Sequence, residues 1–127
     1  MKSYQGEERR LSLRMPVCAE VKANAEGSES YYYTKDISAT GTFLISETFP
    51  RLGVIMEIHI SFPFLPEIMK LKGEVIRHHD YKEKDVYRHL RGFGLRFLAV
   101  RERDTKVIGD ILKRVQSAMA SRQKDID

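Results

Sequence analysis

At residues 36–41 the chain reads Asp36-Ile37-Ser38-Ala39-Thr40-Gly41, a polar hexapeptide between the aromatic residues 31–33 and the apolar residues 43–45. Asp and Ser side chains bond to nearby backbone, and glycine tolerates a positive φ, so this composition suits a tight turn. The hexapeptide is therefore predicted to join two strands and to offer a platform for a ligand.

Period-two alternation of apolar and polar residues surrounds the hexapeptide and indicates short, half-buried strands. The clearest case runs from Val54 to Phe62. Residues 23–30, which are small and polar, are predicted to form a hairpin loop, and Gly73 is predicted to mark a bulge or a barrel bend. The six predicted strands cover residues 15–22, 31–35, 42–46, 54–62, 69–75 and 91–98.

After the last strand the period changes from two to that of a helix. Asp104 is a suitable N-cap, and apolar residues then recur at helical spacing up to residue 121. They are Val107, Ile108, Ile111, Leu112, Val115 and Met119. Six strands at hairpin spacing, followed by an amphipathic helix, predict an all-β fold with a C-terminal helix, in which the helix packs on a six-stranded antiparallel barrel.

Composition sets the limits of the function. The chain has 127 residues, 42% hydrophobic and 31% charged, which is typical of one soluble domain. A single cysteine, Cys18, fits a reducing compartment, and the sequence shows neither a secretory signal nor a membrane span, so we expect a cytoplasmic location. The net charge of +4 is compatible with an anionic partner.

The chain divides into three predicted parts. Residues 1–13 carry alternating charges and no apolar period, and we expect a flexible N-terminal arm. Residues 14–100 contain the barrel, with a charged, exposed connection at residues 80–90. Residues 101–127 contain the helix and a tail.

Two motifs and one strand together resemble the bacterial PilZ domain. The motifs are an RxxxR preceded by a further arginine and a DxSxxG about twenty residues later, and the strand is Gly-Phe-Gly-Leu-Arg-Phe-Leu at residues 92–98. The resemblance covers roughly residues 8–100 and implies a PilZ-type barrel that binds the second messenger cyclic di-GMP. The implied ligand-binding residues are Arg9, Arg10, Arg14, Asp36, Ser38 and Gly41. Many members carry a glycine where this chain has Thr40, a departure that leaves the motif glycine in place.

The chemistry of these side chains agrees with the resemblance. Guanine offers N7 and O6 to an arginine fork, and the phosphodiesters offer anionic oxygens, so Arg10 and Arg14 suit both groups. Asp36 can accept hydrogen bonds from the ring N–H and the amino group of guanine. Ser38 can bond a phosphate or a base edge, or brace the turn, whereas Gly41 lets backbone approach the ligand. Arg9 can stack on a purine.

Other interpretations compete with a nucleotide receptor. Arginines in a charged arm are usually solvated, and an Asp-x-Ser turn is usually only a turn, but the joint occurrence of both motifs favours binding. A small basic barrel with exposed tyrosines could bind single-stranded nucleic acid, and a PilZ-like adaptor could contact proteins without any ligand. The sequence contains no recognisable catalytic set, so we do not expect an enzyme. The adjacent His78 and His79 do not form a metal site, and we do not expect a metal-binding protein. Gly92-x-Gly94 does not form a dinucleotide-binding loop.

The arm is predicted to carry the signal. It holds Arg9 and Arg10 but little that could fix it to the barrel, so we expect an anionic ligand to order it and thereby to alter contacts with a downstream protein. In the resembling family, an arginine directly before the RxxxR favours capture of two stacked ligand molecules. Arg9 occupies that position, and the resemblance therefore implies two molecules of cyclic di-GMP per chain.

Overall fold

This computed structural model describes residues 14–80, 91–98 and 102–126, with the side chains of residues 104–121 in the last segment. The described residues form seven strands and one helix. They are β1 (Met15–Pro16), β2 (Glu20–Ala25), β3 (Ser28–Ile37), β4 (Gly41–Ile45), β5 (Ile55–Ser61), β6 (Ile68–His79), β7 (Gly92–Leu98) and α1 (Glu102–Ile126).

Six of the strands close into an antiparallel barrel. The strand order is β3-β2-β5-β6-β7-β4, and β4 pairs back with β3. Closure matters because it pairs the backbone groups that an open sheet would leave exposed along its two edges. The predicted six-stranded barrel with a C-terminal helix is confirmed, and β1 is an additional short strand on the end of β3.

The hairpin between β2 and β3 is tighter than the sequence suggested. Residues 23–25 and 28–30 are not loop but strand, since Ala23 pairs with Ser30 and Ala25 with Ser28. The turn consists of Glu26 and Gly27 alone, with φ of 52° and 80°. Two positive φ values favour a two-residue hairpin turn whose twist matches the strands. The small residues on either side of the turn therefore belong to strands and not to a loop.

The first predicted strand is divided in two. Residues 17–19 leave the ladder between β1 and β2, and Thr34 of β3 holds them in place. Its Oγ1 donates to the Val17 carbonyl at 2.6 Å and accepts from the Ala19 N–H at 2.9 Å. Val17, Ala19 and Val21 are nevertheless all buried, as their alternation predicts. The burial pattern was correct, whereas the continuity of the strand was not.

The core fills the barrel and continues under the helix. Phe93 is fully buried at its centre, where Tyr32 meets it edge-to-face at 5.2 Å. Helix α1 begins at Glu102, two residues before the predicted cap, and contributes Ile108 and Val115 to the same core cluster. Val107 and Met119 belong to the predicted apolar stripe but are 55% and 37% exposed. The buried face of the helix is therefore narrower than its sequence pattern suggested.

An ion pair supports the docking of α1. Arg114 Nη2 lies 2.6 Å from Glu67 Oε1 on the loop before β6. The hydrogen bond from Arg114 holds the pKa of Glu67 below its ordinary value. Both side chains remain partly exposed to water, so the contact orients the helix more than it stabilises it.

Two β-bulges change which side chains face outward. In β3 the register with β4 shifts between Thr34 and Asp36, and in β6 the register with β7 shifts between Val75 and Arg77. Strict alternation would place Asp36 on the inner face with buried Thr34, and Arg77 on the inner face with buried Val75. The extra residue turns both charged side chains outward. The prediction for Gly73 was a bulge or a barrel bend, and the bulge lies instead between Val75 and Arg77.

Strand β4 approaches β7 closely at two glycines. A Cβ on Gly41 would collide with the Leu95 carbonyl oxygen, and a Cβ on Gly92 would collide with the Leu44 carbonyl oxygen. Gly41 does not take a positive φ; among the described glycines only Gly27 and Gly53 do. The prediction that Gly41 serves the turn through a positive φ is therefore wrong, because its missing side chain admits backbone of β7.

We expect Gly41→Ala to lower the free energy of unfolding by about 1–3 kcal/mol, since the backbone of β7 must move to admit the methyl group. Gly109→Ala is the matched control: a Cβ there meets nothing within 4 Å, and alanine in a helix should stabilise by roughly 0.5–1 kcal/mol. Urea unfolding followed by far-UV circular dichroism measures both. A Gly41→Ala variant as stable as the unmodified protein would show that β7 does not constrain this position.

Candidate functional site

Pairing of β1 with β3 brings the two predicted motifs together. Met15 lies opposite Ile37 and Pro16 opposite Asp36, so the residue just before β1 reaches the end of β3. That residue is Arg14, and its Nη1 donates to Asp36 Oδ1 at 2.5 Å. The last arginine of the RxxxR and the carboxylate of the DxSxxG thus meet although they lie 22 residues apart.

The Arg14–Asp36 pair uses only part of what each side chain offers. One nitrogen of Arg14 contacts one oxygen of Asp36, and the side chains are 38% and 19% exposed. Such a partly exposed pair is worth at most ~1 kcal/mol, so a ligand can share or displace it at low cost. No other described side chain bonds the remaining guanidinium donors of Arg14 or the second carboxylate oxygen of Asp36, so both groups can form further hydrogen bonds.

Ser38 is built into the turn that follows β3. Its side chain is almost fully buried, and its Oγ accepts from the N–H groups of Thr40 at 3.2 Å and Gly41 at 3.3 Å. Ser38 N–H donates to the Gly41 carbonyl at 2.8 Å, which closes the turn. Of the roles considered for Ser38, this geometry favours bracing the turn over bonding a ligand.

Thr40, which departs from the pattern of the resembling family, fits the turn. Its Oγ1 lies 3.1 Å from Ser38 Oγ, and its carbonyl accepts from the Phe97 N–H of β7 at 2.9 Å. The turn is thereby tied to β7, and Gly41 beside it packs on the same strand. Arg9 and Arg10 lie outside the described residues, as does the connection at residues 81–90.

Phe43 is a neighbour of the motif residues that the sequence analysis did not select. It lies directly opposite Asp36 on β4 and is 6% exposed, yet it does not belong to the core cluster. Lys35 Nζ lies 5.6 Å from the ring centroid and Arg77 Cζ lies 6.0 Å from it. The sequence contained a partial signal at Gly92, because a Cβ there would lie 2.7 Å from Cε1 of the Phe43 ring.

His78 and His79, although adjacent in β6, have different neighbours. His78 stacks on Phe49 at 5.1 Å and bonds the Pro50 carbonyl, whereas His79 faces the ring of Phe43 at 6.1 Å. Within residues 14–80, 91–98 and 104–121, no three His, Cys, Asp or Glu side chains converge on a point that could hold a metal. The described residues also include no helix long and apolar enough for a membrane span.

A separate cleft of about 550 Å³ lies between α1 and the outer face of β5 and β6. Its walls include His59, Lys70 and Lys72 on the barrel and Val107 and Ile111 on the helix. Neither Arg14 nor any residue of the DxSxxG motif contributes to it. Arg14 and Asp36 are instead partly exposed at the end of β3, away from this cleft, whereas Ser38 is buried in the turn.

Comparison with solved structures gives the same fold. The PilZ domain of Escherichia coli YcgR with c-di-GMP matches 91% of this chain and 98% of its own, at 16% identity and a TM-score of 0.69. YcgR from the same organism in complex with c-di-GMP matches at 13% identity and a TM-score of 0.72, over 94% of this chain and 51% of its own. Identities this low establish the fold alone.

A third match is the inhibitor of motility MotI/DgrA from Bacillus subtilis. It is 18% identical with a TM-score of 0.66, and the match covers 87% of this chain. The chain spans about half, 52%, of the length of that protein. A search of curated protein sequences found no significant match.

The sequence profile of one family covers most of the chain. It is the PilZ domain profile, which matches residues 8–114 and so includes both motifs, the barrel and the first part of α1. The strand order, the joined motifs and this match agree with one another. The chain belongs to the PilZ domain family.

Proposed function

We propose that this protein is a receptor for cyclic di-GMP and acts as a signalling adaptor, not as an enzyme. The observation that carries the proposal is the contact between Arg14 and Asp36, which joins the RxxxR and the DxSxxG on one exposed surface. A cationic donor and a carboxylate acceptor side by side match guanine, which offers acceptors at N7 and O6 and donors at its ring N–H and amino group. Neither motif alone would provide both.

The donors of Arg14 and the acceptors of Asp36 suit recognition of guanine. The Arg14 fork can donate to N7 and O6 of the base, and Asp36 can accept from the ring N–H and the amino group of a guanine. Arg10 is proposed to supply a second fork and to contact a phosphodiester. Gly41 contributes by holding β4 against β7, and Ser38 by bracing the turn beneath the ligand.

The matched structures and the family support cyclic di-GMP as the ligand of this proposal. Two of the matched structures are described as complexes with c-di-GMP, both from E. coli YcgR, and a third protein is described as an inhibitor of motility. Membership of the PilZ family makes the same ligand the first choice here. Arg14 and Asp36, which β1 and β3 bring together, are the residues whose substitution tests the proposal.

The proposed receptor should bind cyclic di-GMP and reject cyclic di-AMP, since adenine reverses the donor and acceptor pattern at the edge that Asp36 reads. Arg14→Ala and Asp36→Ala should each weaken binding by about 1–3 kcal/mol or more, through loss of a bidentate contact. Isothermal titration calorimetry with each nucleotide measures both effects.

Arg51→Ala is the matched control for these variants. Arg51 also forms an exposed ion pair, 2.7 Å from Glu26, but at the opposite end of β3. The Arg51→Ala variant should bind cyclic di-GMP with the same affinity as the unmodified protein. Equal affinity for both nucleotides, or unchanged binding by folded Arg14→Ala and Asp36→Ala variants, would reject the site.

Single-stranded nucleic acid is a less favoured partner. Tyr31 and Tyr33 are indeed 71% and 53% exposed on the outer face of β3. However, Tyr31 donates to Glu29, which also forms an ion pair with Lys22 at 3.1 Å. A carboxylate beside the aromatic surface opposes a phosphate backbone, so these tyrosines do not favour this function.

We infer that two ligand molecules bind per chain and that Arg9 selects this stoichiometry. The guanidinium of Arg9, directly before the RxxxR, can bond to or stack on a second ligand molecule that is stacked on the first. Calorimetry should give two molecules of cyclic di-GMP per unmodified chain and a value near one for Arg9→Leu. A single molecule per unmodified chain would contradict the inference.

Binding is proposed to order the N-terminal arm, residues 1–13, against the barrel. Arg9 and Arg10 are adjacent like charges, and an anionic ligand relieves their repulsion. Amides of residues 7–14 should then become protected from hydrogen exchange on saturation with cyclic di-GMP, while amides near the middle of α1 serve as an internal control. Equal exchange of the arm with and without ligand would exclude this switch.

A further inference from the structure

The barrel closes through only part of β3. Strand β2 pairs with β3 from Ser28 to Tyr33, whereas β4 pairs with β3 only from Tyr33 to Ile37. Residues 28–32 of β3 therefore have a neighbouring strand on one side alone. Backbone N–H and C=O groups on the other side of such a segment lack the partners that a ladder provides.

The hydrogen-bonding pattern of the ladder identifies which backbone groups face the open side. Thr34 N–H donates to the Ala19 carbonyl at 2.9 Å, so Thr34 bonds toward β2. The bonding direction alternates along an antiparallel strand, and residues 28, 30 and 32 therefore also bond toward β2. The N–H and C=O groups of Glu29 and Tyr31 point the other way. Within the described chain, no backbone hydrogen bond joins either residue to residues 46–50, which follow β4.

A local turn ends β4 and leaves this edge uncovered. The Ser46 N–H donates to the Arg91 carbonyl at 2.9 Å, on the side of β7. Ser46 Oγ donates to the Thr48 carbonyl at 2.5 Å and accepts from the Thr48 N–H at 3.1 Å. Pro50 follows two residues later. A hydroxyl-braced turn and a proline both oppose continuation of a strand, so β4 does not extend along residues 28–32.

A cleft of about 470 Å³ lies along the open edge. Its walls come from residues 30–32 of β3 and from residues 45–48, with Arg91 beside them. Tyr31 is 71% exposed, whereas Tyr32 and Ile45 are partly buried and supply apolar surface. Residues 28–32 span roughly 14 Å, which is the length of a short extended chain. The unpaired backbone groups thus border a space that such a chain fits.

Charged side chains around the edge are already paired. Glu29 accepts from the Tyr31 hydroxyl at 3.1 Å and forms an ion pair with Lys22 at 3.1 Å. Glu47 forms an ion pair with Arg91 at 3.2 Å. These pairs leave no surplus of either sign to select a strongly charged partner. Recognition therefore depends on the backbone and on the ring of Tyr31, which favours a β-branched or aromatic residue on a facing strand.

We propose that the open edge of β3 at Glu29 and Tyr31 is a docking site for an extended segment of a partner protein. The segment adds to the barrel as a strand antiparallel to β3, in line with β4, and bonds the free backbone groups of both residues. A β-branched side chain of the segment packs beside Tyr31, and a small or apolar one faces the cleft next to Tyr32. Asp36 lies five residues further along β3, roughly 17 Å away, so docking requires no nucleotide.

Hydrogen exchange of single amides, followed by NMR in the unmodified protein, tests whether the edge is open. Amides of Glu29 and Tyr31 should exchange much faster than those of Ser30 and Tyr32, which bond toward β2. Equal protection of all four amides would show that the edge is already covered and would overturn the proposal.

The probe for docking is a short blocked peptide of alternating threonine and valine, with a lysine at each end for solubility. Added to the unmodified protein without nucleotide, it should protect the amides of Glu29 and Tyr31 and leave those of Ser30 and Tyr32 unchanged. A peptide with the same side chains but N-methylated at every residue cannot donate backbone hydrogen bonds and should bind about tenfold more weakly or less. Equal binding of the two peptides, or no added protection of either amide, would contradict strand addition.

Substitution of Tyr31 separates the backbone from the side chain. Tyr31→Pro removes the N–H on the open edge but none of the bonds toward β2, and it should weaken binding of the unmethylated peptide by roughly fivefold to tenfold. Tyr31→Thr is the matched control, because it removes the ring but keeps the N–H and a high strand propensity, and its affinity should stay within about twofold. Equal affinity of the two variants, both folded by circular dichroism, would reject the backbone contact.

The outcomes are independent of the proposed function. If Tyr31→Pro does not fold, the two peptides and the exchange of Glu29 and Tyr31 in the unmodified protein still decide between an open and a covered edge. If cyclic di-GMP does not bind, the proposed receptor function fails, and the peptide experiments, which contain no nucleotide, still test the docking site.

Discussion

Closure of the barrel by the pairing of β3 with β4 is the constraint on which the rest of the structure depends. Strand β3 makes ladders with β2 and β1 along one edge and with β4 along the other. An antiparallel sheet of this size has one face to bury, and closure buries that face around Phe93 while it pairs both edges. Asp36 pairs with Pro16 of β1 on one side and with Phe43 of β4 on the other, so its position is set from both sides.

The close approach of β4 and β7 is the most demanding part of that closure. Gly41 and Gly92 provide it, because only residues without a Cβ leave room for the carbonyl groups of the facing strand. The same approach draws the Ser38–Thr40 turn onto β7 through the bond from the Phe97 N–H to the Thr40 carbonyl. The motif glycine, Gly41, thus serves the packing of β4 against β7.

Charge on the outer face is organised by the backbone and not by attraction between side chains. The partly exposed pair of Arg14 and Asp36 contributes little stability, but β1 and the bulge in β3 hold its two members within bonding distance. The bulges also present Lys35 and Arg77 on the same surface, around Phe43. Because the barrel fixes these positions, the proposed ligand would not have to order them, and less binding free energy would be lost.

The sequence by itself determined the class of the fold, the family and most of the core. Period-two burial of Val17, Ala19 and Val21 and helical burial of Ile108 and Val115 depend only on local spacing, which a reader of the sequence can see. The motif pair also points to the meeting of Arg14 with the hexapeptide, since two such motifs in this order are uncommon by chance.

Only the tertiary structure decided the details that depend on partners distant in sequence. The hairpin at Glu26 and Gly27, the break in the first strand held by Thr34, and the bulges beside Lys35 and Ile76 follow from pairing between strands and not from local propensity. A bulge reverses which face a side chain occupies, and alternation alone cannot reveal it. For this reason the sequence predicted a role for Asp36 but did not indicate that Lys35, Phe43 and Arg77 lie near it. These residues come together only when β3, β4, β7 and β6 stand side by side.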